Sequence, residues 1–279
     1  MVVPLISGCA IAETYINADK YVVGNQDYTQ QASKIDIVWL NGNVNLVQDL
    51  TVSGVKIEES GDQSIVLNKH RVHSYFNDEG ELRIKYASSG CQFTTKEMRN
   101  LEGKKDLTVI FNPTSLKEFF VDATTSNVES NGIISNYVHI HTTTGDFKAD
   151  YIVAGQEFTT NIVTGNVEIK GSVSAKKAKL NTTSGNITLN AINVNEFESN
   201  ITSGDQNLTF INDVDAKIKS TSGDMALTLP TNGGKVSIKH TTGKNIINRE
   251  HTQSGSTYTF GDGPSTFDVA LTTGTITIN

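Results

Sequence analysis

Arginine, proline and cysteine are all scarce in this chain of 279 residues. Only Arg71, Arg83, Arg99 and Arg249 carry a guanidinium, and 23 Lys+Arg stand against 30 Asp+Glu for a net charge of −7. No basic cluster alternates with aromatic residues. That excludes nucleic acid as the main partner, because phosphate neutralisation needs clustered cations. A hydrophobic fraction of 37% with only four prolines excludes wholesale disorder. No apolar run approaches the ~20 residues of a membrane-spanning helix. Two cysteines, Cys9 and Cys91, cannot build a disulfide framework. Length alone, at about 150 residues per domain, suggests two domains, although all-β folds of this size often stay single.

What is present begins with Ile6-Ser7-Gly8-Cys9, which has the form of a bacterial lipobox. Small side chains before Cys9 admit a peptidase, and the thiol then becomes the lipid attachment point. Residues 1–9 therefore read as a truncated lipoprotein signal, without a basic leader and with an apolar stretch shorter than usual. Residues 10–33 are polar, lack sustained periodicity and read as a tether. The expectation is an extracytoplasmic protein held at the bacterial cell membrane by lipid on Cys9. The alternative, an ordinary cysteine in a frayed terminus, stays open. Cys91 has no obvious mate and reads as a bystander thiol.

Self-similarity is the strongest signal. Thr-Thr-Gly145-Asp146, Val-Thr-Gly165-Asn166, Thr-Ser-Gly185-Asn186, Thr-Ser-Gly204-Asp205, Thr-Ser-Gly223-Asp224, Thr-Thr-Gly243-Lys244 and Thr-Thr-Gly274-Thr275 share one frame. Their glycines are 20, 20, 19, 19, 20 and 31 residues apart, and Ser126-Asn127 extends the series backward. A fixed period of this size means stacked units. Seven residues before each glycine stand Val138, Phe158, Ala178, Phe197, Ala216, Val236 and Phe267. Five before it stand Ile140, Thr160, Leu180, Ser199, Ile218, Ile238 and Val269, and four after it Ala149, Ile169, Leu189, Leu208, Leu227, Ile247 and Ile278. Period-two alternation on both sides of a glycine turn marks half-buried strands.

A leucine-rich repeat would need a Leu-x-x-Leu-x-Leu scaffold and helical returns, and neither is present. The pattern predicts an all-β fold: a single-stranded right-handed parallel β-helix, a solenoid with coils of about 19–20 residues, carrying a looser β N-terminal cap. Residues 34–279 form this body, with the cap and early coils over 34–112 and regular coils over 113–279. Within the cap, Val55–Ile57, Leu82–Tyr86 and Leu107–Phe111 read as strands, and Asn77–Gly80 as a hairpin turn. Glycine supplies φ > 0 in each turn, and Asp or Asn tolerates the turn conformation.

Stacking also orders the outer face. Asn161, Asn181 and Asn200 fall on three consecutive coils, flanked by Asp122 and His141 on one side and by Lys219 and Lys239 on the other. Lys179, Glu198 and Lys217 alternate in charge. Such ladders are first of all structural. They are also the best candidate binding surface: Asn161, Asn181 and Asn200 with Thr159, Lys179 and Lys219.

The strand Lys34–Val44, the strand Gly80–Lys85, the segment Asp106–Pro113, the serial Thr-Ser-Gly-Asp repeats and the closing Phe267–Ile276 together resemble the bacterial putative-adhesin family of β-strand-repeat proteins, a domain of unknown function. The resemblance covers residues 34–279. It implies a right-handed β-helix on an envelope lipoprotein and carries no catalytic residues. Lys244, Thr275 and the long last interval depart from the family's turn pattern.

Catalytic constellations are thin. Asp205 and Asp224 on adjacent coils are weak candidates for a cation, and His139, His141 and Asp122 read as an exposed strand pair with a local ion contact. His70 and His73 lie in a charged stretch and read as solvated. Asp122 with Asp146 or Glu168 makes no obvious glycosidase pair. No cofactor is implied. The reading is a non-enzymatic envelope protein that binds glycan, cell-wall polymer or another protein through its polar ladders. The rival readings are a divalent-ion-dependent polysaccharide enzyme and a scaffold or sensor in envelope-stress signalling.

Overall fold

Strands that alternate about a glycine turn can bury one side only against copies of themselves, and the chain does this. A computed structural model describes residues 14–61, 68–92 and 105–279. The expected lipid site Cys9 lies outside the described residues. One coil shows the plan. Within Val167–Ser184, Val167 to Ile169 pair with Ile187 to Leu189, Ser172 to Ala175 with Ala191 to Val194, and Lys177 to Ser184 with Glu196 to Ser203. Each pairing is parallel and in register with the next coil. The segments before the glycines make face one, those after them face two, and the returns face three. The fold is an all-β solenoid.

Side chains at the inward offsets fill the interior. Phe158, Ala178, Phe197, Ala216 and Phe267 stack along face one, and Val167, Ile187, Leu189 and Leu208 along face two, all buried. Large and small residues alternate between neighbouring coils, which lets flat layers interlock. The polar residues at inward positions are also buried, and Ser199 Oγ donates to Gln206 Oε1 at 2.6 Å while Gln206 Nε2 donates to the Lys219 carbonyl at 3.0 Å.

The turn glycine has a second reason beyond its φ of +142° at Gly185. A Cβ there would sit 1.9 Å from the carbonyl oxygen of Gly165, one coil away, so the turns touch backbone to backbone. The following Asp or Asn is more than tolerant. Asp146 Oδ1 accepts the Asn166 N–H at 2.8 Å, Asn166 Oδ1 that of Asn186 at 2.9 Å, and Asn186 Oδ1 that of Asp205 at 2.8 Å. Asp205 Oδ1 then accepts the Asp224 N–H at 2.8 Å, and Asp224 Oδ1 that of Thr275 at 2.7 Å. Each carboxyl or amide oxygen thus satisfies a turn donor that stacking would otherwise strand. The ladder stops at Thr275 and Lys244, the two positions that break the motif.

Stacking order follows the chain only in the middle. Among the described residues, face one runs in space through 81–85, 34–41, 118–125, 137–144, 157–164, 177–184, 196–203, 215–222, 266–273 and 235–242. Ten strands at about 4.8 Å spacing make a rod about 43 Å long. At the far end, the last strand, Thr266–Ile278, enters between Asp215–Ser222 and Gly234–Ile247. This corrects the simple expectation that coils stack in sequence order, with Lys219 next to Lys239. Composition explains the exchange. Thr266–Ile278 buries Phe267, Val269, Leu271, Ile276 and Ile278, whereas Gly234–Ile247 carries an exposed Asn245 at the offset where Met225 and Ile276 are buried. The less apolar strand takes the end. The long interval supplies a hairpin, Thr252–Ser254 with Thr257–Phe260, whose second strand pairs antiparallel with Gly234 to Ser237 and covers that edge.

The opposite end is capped by antiparallel strands. Val55–Gly61 pairs with Lys105–Phe111, and His73–Phe76 with Glu81–Lys85 around the expected Asn77 turn. Of the tether expected over 10–33, the described residues 14–33 lie against the cap. Val22–Val23 pairs with His73–Ser74, Gln26–Tyr28 pairs with Val55–Ile57, and Tyr21 and Ala32 are buried. Its tyrosines anchor it: Tyr15 Oη donates to the Ala87 carbonyl at 2.9 Å, and Tyr21 packs between Tyr15 and Tyr75.

His70 and His73, expected to be solvated, are buried at 5% and 7% exposure. They flank Lys105, fully buried, whose ammonium meets Glu59 Oε1 at 3.0 Å and donates to the carbonyls of Tyr86 and His70. Its charge also lies 3.9 Å from the centre of the Tyr86 ring and 5.0 Å from that of Trp39. Burial lowers the Lys105 pKa from 10.5 to about 8, opposed by the Glu59 carboxylate. Burial likewise lowers that of His73. Local sequence sees a charged stretch, but the fold turns it inward as a paired cluster.

Candidate functional site

Face one is the broad outward surface, and its side chains form straight rows because every coil repeats the same offset. Four residues before the glycine, the row runs Asp122, His141, Asn161, Asn181, Asn200, Lys219, Ala270, Lys239. Asn181 Nδ2 donates to Asn161 Oδ1 at 2.8 Å, and Asn200 Nδ2 donates to Asn181 Oδ1 at 3.0 Å and to Glu198 Oε1 at 2.9 Å. The structure thus brings Asn161, Asn181 and Asn200 together as read from sequence. An amide carries two N–H groups and two acceptor lone pairs, so each ladder member keeps capacity toward solvent.

The flanking candidates divide. Lys179 is tied to Glu198 at 3.3 Å, and Thr159 donates to Glu157 at 3.1 Å. The Glu198 carboxyl titrates below its ordinary range, chiefly because Asn200 donates to it. Lys219 has no ion-pair partner among the described residues. At the other end His141 Nδ1 meets Asp122 Oδ1 at 3.0 Å, the local ion contact expected from stacking. That hydrogen bond raises the His141 pKa, whereas burial lowers that of His139.

Sequence reasoning missed an aromatic wall on this face. His139 stacks on Phe120 with ring centres 4.7 Å apart and planes within 10°, and Tyr137 on the same strand lies parallel to it at 6.5 Å. Lys34 covers the Phe120 ring at 4.8 Å. Phe120 holds one face of His139, so the other is directed toward Thr159 on the next coil. The signal was legible: Phe120 and His139 occupy one outward offset on consecutive coils.

An open groove of about 990 Å³ follows the amide row from His141 to Lys239, with Ser256 of the terminal hairpin at its end. A smaller hollow of about 300 Å³ beside Phe120 and His139 shares His141 and Asn161 with it, so the two adjoin. Asp205 and Asp224, the weak cation candidates, spend one oxygen each on turn N–H groups. Among the described residues no group of three or more His, Cys, Asp or Glu side chains is placed to hold a metal ion. Cys91 is a half-buried thiol near Lys105.

Residues 34–279, the whole coiled body and its cap, match the family described as Toastrack DUF4097. The chain belongs to that family. Among solved structures, this Toastrack chain is similar to a putative adhesin from Bacteroides fragilis NCTC 9343, at 16% identity and a TM-score of 0.56, over 93% of this chain and 97% of that one. A putative adhesin from Parabacteroides distasonis ATCC 8503 aligns at 14% identity and a TM-score of 0.48, over 93% of this chain and 97% of that one. A protein from the same organism described as a putative lipid binding protein aligns at 13% identity and a TM-score of 0.47, over the same shares. None of the curated proteins matches the sequence. The first of these likenesses supports the Toastrack fold.

Proposed function

We propose that this protein is a non-enzymatic, adhesin-like envelope protein that binds glycan chains along face one. The observation that carries the reading is the run of adjoining hollows along face one: the aromatic pair Phe120 and His139 lines the smaller, the amides Asn181 and Asn200 with Lys219 line the larger, and His141 and Asn161 belong to both. Sugar hydroxyls both donate and accept, as the ladder amides do, and the apolar face of a pyranose ring suits a standing aromatic ring. The coil spacing of about 4.8 Å is close to the length of one sugar unit, so a chain laid along the rod meets one rung per residue. Many weak contacts then act together. The name of the Bacteroides fragilis neighbour, a putative adhesin, accords with this.

On this reading the solenoid winds to the right, as parallel strands joined by crossovers nearly always do. It is held outside the cytoplasm at the cell membrane by lipid on Cys9, with Thr159 and Lys179 at the margin of the binding surface. Calorimetric titration with neutral and acidic glycan oligomers tests the binding. Asn181→Ala and His139→Ala are each expected to weaken it roughly two- to twelvefold, the range of one charge-free hydrogen bond or ring contact. If no oligomer binds the wild type, or if both variants bind unchanged, the reading is wrong. Metabolic labelling with a fatty acid, with and without Cys9→Ala, tests the anchor: an unlabelled wild type would refute it.

A further inference from the structure

The exchange of the last two strands has a consequence for charge. Lys219 and Lys239 stand at the same outward offset, and the inserted strand places Ala270 directly between them. Had the coils stacked in chain order, the two ammonium groups would be adjacent and repel. Instead they are two strand spacings apart, about 9.6 Å, with only a methyl group in the gap. All three line the deep end of the groove, bordered by Thr221, Thr272 and Ser256.

Three other lysines on this face are neutralised, Lys34 by Glu118 at 3.1 Å, Lys177 by Glu196 at 3.7 Å and Lys179 by Glu198 at 3.3 Å, whereas Lys217 has no ion-pair partner among the described residues but lies outside the groove. Neither Lys219 nor Lys239 has an ion-pair partner among the described residues. The nearby carboxylates are Asp268, in register with Lys217 one row away, and Asp215, which accepts from Thr266 Oγ1 at 2.8 Å. His240, also at this end, is engaged by Asn245 Oδ1 and the Thr242 carbonyl. The notch therefore holds two uncompensated cations facing one small hollow.

We infer that the Lys219–Ala270–Lys239 notch is a subsite for the anionic group of an acidic polysaccharide, so that face one selects charged over neutral glycans. An oxyanion seated over the Ala270 methyl accepts a charge-assisted hydrogen bond from each flexible ammonium. The threonine hydroxyls beside it suit the neighbouring sugar. This rests on the glycan-binding reading of face one and adds the ligand's charge. The polar amide row alone does not discriminate charge; the notch does.

The test is titration of the full chain with four probes at low salt and at about 0.15 M: oligogalacturonate, sulfated dextran oligomer, neutral dextran oligomer and inorganic sulfate. Expected is binding of at least one acidic oligomer roughly tenfold or more tighter than neutral dextran at low salt, with the advantage shrinking as salt screens it. Lys219→Gln with Lys239→Gln should erase that advantage and bring acidic and neutral oligomers to equal affinity. Ala270→Glu, which adds a carboxylate in the gap, should do the same by a different route. If acidic and neutral oligomers bind alike, or the lysine pair can be replaced without effect, the notch is not a subsite, while the glycan reading stands. Binding of inorganic sulfate without any oligomer would overturn both.

Discussion

Replacing Gly185 by alanine tests why the repeat exists at all. Gly185 sits at φ +142°, a region that residues with a side chain rarely enter, and its new Cβ would lie 1.9 Å from the Gly165 carbonyl oxygen. Ordinary contact begins near 3.4 Å, so the turns must separate by about 1.5 Å. That displacement pulls apart the Gly165 N–H bond to the Ser184 carbonyl, now 2.9 Å, and the Asn186 N–H bond to Asn166 Oδ1, also 2.9 Å. Backbone strain costs about 1–3 kcal/mol, and each lost hydrogen bond about 0.5–1.5 kcal/mol. The expected loss is about 2–6 kcal/mol, centred near 4. Gly255→Ala is the control: its φ is +59°, but the added methyl would meet nothing within 4 Å. It should cost only the left-handed penalty, about 1–2 kcal/mol. Urea titration followed by far-ultraviolet circular dichroism reads both as midpoint shifts at constant slope. A reduced slope for Gly185→Ala would report an array broken into separately melting segments. If Gly185→Ala costs no more than Gly255→Ala, the backbone interlock between coils is refuted.

Three further outcomes follow from paired polar groups. Lys105 has a folded pKa of about 8 against 10.5 unfolded, so between those values the unfolded chain holds more protons and stability rises with pH. Roughly 3 kcal/mol is at stake over the full window, and thermal melts from pH 8 to 9.5 should climb in the wild type and stay flat in Lys105→Met. Above pH 10 Tyr86, held above its ordinary range by burial, opposes the trend, so the lower window is the clean one. Gln206→Leu strands the Ser199 hydroxyl and the Lys219 carbonyl and should lose about 1–3 kcal/mol, of which Ser199→Ala in the same chain recovers part; additive losses would show that the two side chains act independently. His141, raised by its bond to Asp122, contributes stability that is fully present below the unfolded histidine pKa and fades as pH rises through the folded one. Proton resonance titration of His141 in Asp122→Asn should show its pKa fall, and an unchanged value would remove the ion contact.

The solenoid was legible because its grammar is local. A glycine every 19 or 20 residues with alternating neighbours states which side chains face in, and a strand's two-residue period admits no other assignment. The amide row came with it, since equal offsets on equal coils must stack. The aromatic wall was equally accessible at the offset shared by Phe120 and His139. The cap was harder: His70 and His73 look solvated by composition, and only the fold brings them beside the buried Lys105, whose ammonium meets Glu59, Trp39 and Tyr86.

Sequence by itself therefore determined the coil, its inside and outside, the turn chemistry and the Asn161, Asn181 and Asn200 ladder. Tertiary structure decided the order of the ends. Any of these strands can pair in parallel with any other, because they share one register; which lies outermost depends on how much apolar surface each would expose. Thr266–Ile278 has more to bury than Gly234–Ile247, so it goes in, and Ala270 comes to separate Lys219 from Lys239. That comparison is between segments distant in the chain, and no local pattern contains it.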